Sequence, residues 1–158
     1  MKKQNKRARH ATIAFPQLIR GTLVRRYKRF LADVVLEDGK TVTAHCPNTG
    51  SMKGCSEPGR PVYISESKNP GRKLAYTWEL IDMPTSLVGV NTGVPNRLVH
   101  QALSAGIVPE LSGYETVRKE VSVAKGSRID IVMEDRDGSR CFVEVKNCTL
   151  VKDGVALF

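Results

Sequence analysis

From Arg128 to Val145 apolar and polar side chains alternate on either side of an Asp137-Gly138 turn signal, and this pattern leaves the stretch little freedom in how it pairs. Side chains two apart on a strand share a face, so Ile129, Ile131 and Met133 fall together on the first run. Cys141, Val143 and Val145 fall together on the second. A loop of Arg136-Asp137-Gly138, with Gly138 in the left-handed conformation, sets Ile129 against Val145, Ile131 against Val143 and Met133 against Cys141. One face of the hairpin is then wholly apolar. A shorter Asp137-Gly138 turn would set Ile129 against Lys146 and Ile131 against Glu144, a slip disfavoured wherever one face is buried.

The consequence falls on the opposite face. In the favoured register Asp130 stands across from Glu144, with Cβ atoms about 4.5–5.5 Å apart, and Lys146 projects one step along, opposite Arg128. Two carboxylates that close repel unless a cation lies between them. Paired hard oxygens suit Mg²⁺, which takes one or two carboxylates and keeps several waters. Such an ion acidifies a water and stabilises charge growing on a phosphate, while the Lys146 ammonium can position the water or neutralise that charge. Phosphodiester hydrolysis is the reaction class this arrangement fits, with Asp130 and Glu144 as metal ligands and Lys146 beside them. The plainer reading stays open: an ordinary polar strand face on which Lys146 pairs with Glu144. Against it, the acids are flanked by apolar neighbours, as in Ile129-Asp130-Ile131 and Val143-Glu144-Val145, and Val132 and Phe142 share their face.

Ahead of this hairpin the chain changes character near its middle. Leu18 to Glu37 reads as extended, Glu37-Asp38-Gly39-Lys40 marks a hairpin, and Thr41 to Cys46 returns before the turn Pro47-Asn48-Thr49-Gly50. Short runs at Val62–Ser65 and Leu74–Ile81 follow, with Tyr76 and Trp78 as core candidates. Many short strands with frequent turns predict a small antiparallel barrel, of which the five-stranded oligonucleotide-binding fold is the common basic form. After a short strand, Val88 to Val90, Asn91-Thr92 offers cap oxygens. Leu98, Val99, Ala102, Leu103 and Ala105 then recur at helical spacing, and Gly106 supplies a stop, predicting a helix over Val94–Ala105. Strand-like runs at Thr116–Val123, Arg128–Glu134 and Arg140–Leu150 complete an α+β second half. The division expected is a basic disordered tail at 1–14, a barrel at 15–84 and a second domain at 85–158.

The net charge of +9 is concentrated: no acidic residue occurs from Met1 to Phe30, a stretch dense in Lys and Arg. A one-sided positive field attracts polyanions. In the run Arg25-Arg26-Tyr27-Lys28-Arg29-Phe30, cations that can meet phosphates interleave with aromatics that can stack a base, which makes Arg25, Arg26, Tyr27, Lys28 and Arg29 the candidate DNA-binding residues. The other reading is a barrel strand with Tyr27 and Phe30 in the core. No base-reading helix is evident, so DNA binding is expected to be weakly sequence-selective and steeply salt-dependent. The four cysteines lack zinc-knuckle spacing, although His45 beside Cys46 offers two metal-ligand types. Thiols, a cytoplasmic location and no membrane partner are expected, since no apolar run approaches the ~18 residues of a span.

Several motifs together resemble the bacterial sugar fermentation stimulation protein A (SfsA) family: Arg25 to Val34, His45-Cys46-Pro47-Asn48-Thr49-Gly50, Tyr76 to Leu80, Val90-Asn91-Thr92, Glu110 to Tyr114, Ser127-Arg128-Ile129-Asp130 and Val143-Glu144-Val145-Lys146. The resemblance implies an N-terminal oligonucleotide-binding-like (OB) barrel joined to a PD-(D/E)xK restriction-endonuclease-like domain, with DNA binding and an inferred role in regulating sugar (maltose) metabolism. It implies Asp130, Glu144 and Lys146 as the PD-(D/E)xK residues and Glu110 as an auxiliary acid. Family members continue past the equivalent of Phe158 with a helix and a further strand, so an incomplete second domain with an exposed strand edge is expected. A working Mg²⁺-dependent DNA endonuclease and a binding module with a vestigial site are the alternatives.

Overall fold

The computed structural model describes residues 10–157; residues 1–9, and with them most of the expected basic tail, lie outside the described residues. The described chain forms two compact units, one of residues 14–94 with 146–157 and one of residues 10–13 with 95–145.

The first unit is built on β1 (Leu18–Tyr27), β2 (Leu31–Leu36), β3 (Thr41–His45), β4 (Pro61–Glu66), β5 (Tyr76–Met83) and β6 (Ser86–Gly89). The strands are ordered β3-β2-β1-β4-β5-β6, and a short parallel pairing of β3 with β5 closes the first five into a barrel. That connectivity is OB-like. The expected Asp38-Gly39 hairpin joins β2 to β3: Gly39 has φ 83° and the Asp38 carboxylate accepts the Lys40 N–H at 2.9 Å. Side chains from alternating positions, among them Leu23, Val34, Ile64, Trp78 and Ile81, fill the interior. Trp78 is fully buried and its indole N–H donates to the Leu80 carbonyl at 2.9 Å, so the polar edge that burial strands is satisfied.

β1 serves two partners at once. Gly21 pairs with Leu36 of β2 on one side and Val62 of β4 on the other. A Cβ at this position would lie 2.5 Å from Val34 Cγ1 and 2.8 Å from the Val35 carbonyl oxygen, so only glycine lets the strands approach.

The extended stretch predicted over Leu18–Glu37 is in fact a hairpin. Lys28 and Arg29 take left-handed φ values of 48° and 65°, and the chain reverses there before β2. The alternation expected along Arg25–Phe30 therefore stops at Tyr27. Primed hairpin turns normally advertise themselves with Asn or Gly, which this Lys-Arg pair lacks.

In the second unit, α1 (Gly93–Ser104) precedes a single 3₁₀ turn at Pro109–Leu111 and the strands β7 (Thr116–Ala124), β8 (Ser127–Glu134) and β9 (Arg140–Val143), which form a meander in that order. The Asn91 side chain caps the helix start by accepting the Gly93 N–H at 3.0 Å. Leu103 and Val99 of α1 pack on the sheet face that carries Ile131, Met133, Cys141 and Val143. The predicted register holds, with Ile131 against Val143, Val132 against Phe142 and Met133 against Cys141, and Gly138 is left-handed at φ 79°.

The strand predicted over Arg140–Leu150 is shorter than the alternation implies. β9 ends at Val143, so the expected pairs Asp130–Glu144 and Ile129–Val145 are not part of the ladder. Residues 150–157 form a separate hairpin, β10 (Leu150–Lys152) with β11 (Val155–Leu157), that belongs to the barrel unit.

Gly21→Ala should lower the stability of the barrel unit by about 1–3 kcal/mol through overpacking. Denaturant unfolding followed by the fluorescence of Trp78, the single tryptophan, measures the loss; unchanged stability would show that β1 and β2 do not approach as described.

Candidate functional site

Asp130 occupies an unusual place for a carboxylate. It lies within β8, half-buried between Ile129 and Ile131, where strand propensity disfavours Asp. Both of its oxygens are engaged. The side-chain amide of Asn96, in α1, donates to Oδ1 at 3.0 Å, and the backbone N–H of Val145 donates to Oδ2 at 2.9 Å. This second bond explains why β9 stops where it does. The Asp130 side chain takes the N–H of Val145, and the chain leaves the sheet beyond Val143.

Glu144 is exposed and immediately precedes the tethered Val145; Lys146, also exposed, immediately follows it. Each of the two has interaction partners of its own. Glu110 sits exposed in the 3₁₀ turn. Among the described residues no three His, Cys, Asp or Glu side chains cluster closely enough to hold a metal, so Glu110 does not complete a triad with Asp130 and Glu144.

The Asp130 carboxylate by itself still has room for a hard divalent ion. An ionised carboxylate has about four acceptor positions, so the two N–H bonds to Asp130 leave each oxygen able to meet a cation. Mg²⁺ in particular binds through one or two carboxylates and fills its remaining positions with water. The sequence pattern points to Asp130 but not to Asn96. The available signal is an asparagine in the first turn of a helix whose cap is already supplied by Asn91.

The expected DNA-binding run divides into two kinds of residue. Arg25 and Arg26 are tied into the barrel. Arg25 Nε donates to Asp33 Oδ2 at 2.8 Å, and its guanidinium carbon lies 4.7 Å from the centroid of the Tyr27 ring. Tyr27 Oη and Thr43 Oγ1 both donate to Asp33 Oδ1, at 3.2 and 2.9 Å. Arg26 reaches the other way and gathers backbone carbonyls: its Nη2 donates to Arg29, Asn48 and Gly50 at 2.7, 2.9 and 2.8 Å. Those bonds join the β1–β2 turn to the loop after β3. At the tip Lys28, Arg29 and Phe30 are exposed, Phe30 by 48%. The tip is held by the Arg26 bond to the Arg29 carbonyl and by the Cys46 N–H, which donates to the Phe30 carbonyl at 2.8 Å.

Among the described residues neither His45 nor any cysteine belongs to a cluster of three metal-ligating side chains. His45 Nδ1 faces the Arg72 guanidinium at 3.3 Å; burial and that charge hold its pKa below the ordinary value. All four cysteines are free thiols, and burial pushes the Cys46 and Cys55 thiols up, against the pull of Arg26. Among the described residues no helix is long and apolar enough to cross a membrane.

Comparison with known proteins agrees with this architecture. The profile described as SfsA N-terminal OB domain matches residues 24–90, and that described as Sugar fermentation stimulation protein RE domain matches residues 93–158. The chain belongs to the sugar fermentation stimulation protein family. It is 58% identical over 143 residues to the sugar fermentation stimulation protein homolog of Pelobacter propionicus, covering 90% of this chain and 62% of that one. It is 57% identical over 141 residues to the homolog of Geobacter sulfurreducens, covering 89% of this chain and 60% of that one. The chain thus spans about three fifths of the length of these curated relatives. The solved structure of Pyrococcus furiosus SfsA in complex with Ca²⁺ shares the fold, with a TM-score of 0.80 at 24% identity, over 96% of this chain and 63% of that one.

The Asp33 cluster generates a pH prediction. The hydrogen bond from Arg25 and those from Thr43 and Tyr27 outweigh burial and hold the Asp33 carboxyl below its ordinary value. Its contribution to stability is therefore full above the ordinary carboxylate pKa of about 3.9 and is lost as pH falls through the lowered folded value. Asp33→Asn should destabilise the barrel at neutral pH, and the gap to the natural sequence should narrow as pH drops below about 4. A pH series of unfolding curves checks this; a constant gap would show that Asp33 is not ionised in the fold.

Proposed function

We propose that the chain binds DNA and carries, on α1, β8 and the segment after β9, a divalent-cation-dependent phosphodiester site of the PD-(D/E)xK type, in which Asp130 and Glu144 hold the ion and Lys146 stands beside them. The observation that carries this reading is the engaged Asp130 carboxylate, bonded to the N–H of Val145 between the two other candidate residues. The structure of Pyrococcus furiosus SfsA, named as a complex with Ca²⁺, supports divalent-ion binding in the family. When bound, Mg²⁺ supplies charge neutralisation at phosphate and a more acidic water. The chain's own part is to present two carboxylates and to place the Lys146 ammonium where negative charge develops.

DNA contact falls to the exposed tip Lys28-Arg29-Phe30, because Arg25 and Arg26 are committed to Asp33 and to loop carbonyls. Cations there meet phosphates and Phe30 offers a stacking surface, a combination with little sequence preference. A part in regulating sugar (maltose) metabolism and a cytoplasmic location, in keeping with four free thiols, complete the reading. One observation favours a binding module with a vestigial site instead: the described residues offer no third acidic ligand.

Supercoiled plasmid titrated with Mg²⁺ separates these readings. The phosphodiester site predicts metal-dependent nicking that Lys146→Ala reduces by about a hundredfold or more. Absent nicking favours the binding module, and nicking that survives Lys146→Ala removes Lys146 from the site. For binding, Lys28→Ala and Arg29→Ala should each reduce the salt slope of DNA affinity by about one, uniformly across sequences. Unchanged slopes would move the DNA contact away from this turn.

A further inference from the structure

We propose that Asn96 is a positioning residue for the cation-binding carboxylate, its amide holding Asp130 in the orientation from which the carboxylate meets a divalent ion. The inference rests on the metal-site reading above. Asparagine is a poor helix-interior residue, favoured at caps because its side chain can satisfy the open N–H groups there. In α1 that task belongs to Asn91, whose Oδ1 accepts the Gly93 N–H and whose carbonyl accepts the Val94 N–H. Asn96 contributes nothing to the helix end. Its Nδ2 instead reaches Asp130 Oδ1, at a residue 34 positions away in the chain.

The geometry is specific to the role. The terminal torsion of an Asp side chain is soft, so a carboxylate held at one oxygen still swings. Here each oxygen has its own donor, Asn96 on Oδ1 and the Val145 N–H on Oδ2, which fixes the plane of the group. Both donors are uncharged. An Arg or Lys in place of Asn96 would neutralise the carboxylate and compete with a cation, whereas an amide orients it and leaves its charge available. Carboxylates that ligate metals are in turn hydrogen-bonded in this way, and loss of such a partner weakens metal affinity by about 10–100-fold. The Val145 bond extends the effect along the chain, because it anchors the residue directly after Glu144 to the same carboxylate.

Mn²⁺ binding to the full chain, measured by titration calorimetry beside a thermal melt of each protein, tests the assignment. Asn96→Ala and Asn96→Leu, the latter keeping volume without a donor, should weaken Mn²⁺ binding by about 10–100-fold. The melt should fall by no more than a few degrees, the effect of one lost hydrogen bond. Asn96→Gln, which returns the amide on a longer stem, should recover part of the lost affinity. A lowered melt with unchanged Mn²⁺ affinity below the transition would make Asn96 a structural residue and overturn the proposal. Undiminished affinity in the Asn96 variants, alongside its loss in Asp130→Asn, would overturn the role of Asn96 and leave the metal site standing. Mn²⁺ affinity that is absent, or indifferent to Asp130→Asn, would overturn both.

Discussion

Side chains on a paired strand alternate between two faces, and when one face is buried the pairing can no longer slide. In the β7–β8–β9 sheet this constraint decides nearly everything that follows. A shift of one position toward the shorter turn would set Ile131 against Glu144 and break the apolar face that α1 covers. Because the register is held, Asp130 is held too, one step before the last paired residue, Ile131.

The same carboxylate then limits the sheet that positions it. A ladder continuing past Val143 would direct the Val145 N–H to a backbone carbonyl. Instead it donates to Asp130 Oδ2, and the strand gives way to the stretch that carries Glu144 and Lys146. A polar group in a strand interior is costly unless satisfied. Here the compensating bonds come from a helix on one side and an unzipped strand end on the other. Asp130 thus joins three segments that local structure alone would leave separate.

The barrel uses a guanidinium in a comparable way. Arg26 binds the carbonyls of two loops that otherwise have no ladder to satisfy them. Its neighbour Arg25 answers Asp33 on the opposite side of β1. Two adjacent cations that look alike in a basic run therefore do different structural work, and the exposed charge is left to the turn beyond them. The left-handed backbone at Lys28 and Arg29 is accepted because bonds from Arg26 and Cys46 hold the turn on both sides.

Periods and turn residues were enough to determine the β8–β9 register, the left-handed Gly138, the Asp38-Gly39 hairpin, the burial of Trp78 and a helix within one residue of its observed ends. Each of these depends on interactions between residues close in sequence or on a period that burial enforces. The Lys28-Arg29 reversal, the carbonyl cage of Arg26, the early end of β9 and the meeting of Asn96 with Asp130 were decided only by the tertiary structure. Apart from the local Lys28-Arg29 reversal, their deciding bonds reach across 15 to 34 positions, and a side chain's choice among distant partners leaves no trace in local alternation. Asp130 was legible as a candidate because its neighbours repeat; Asn96 was not, because nothing near it in sequence requires it.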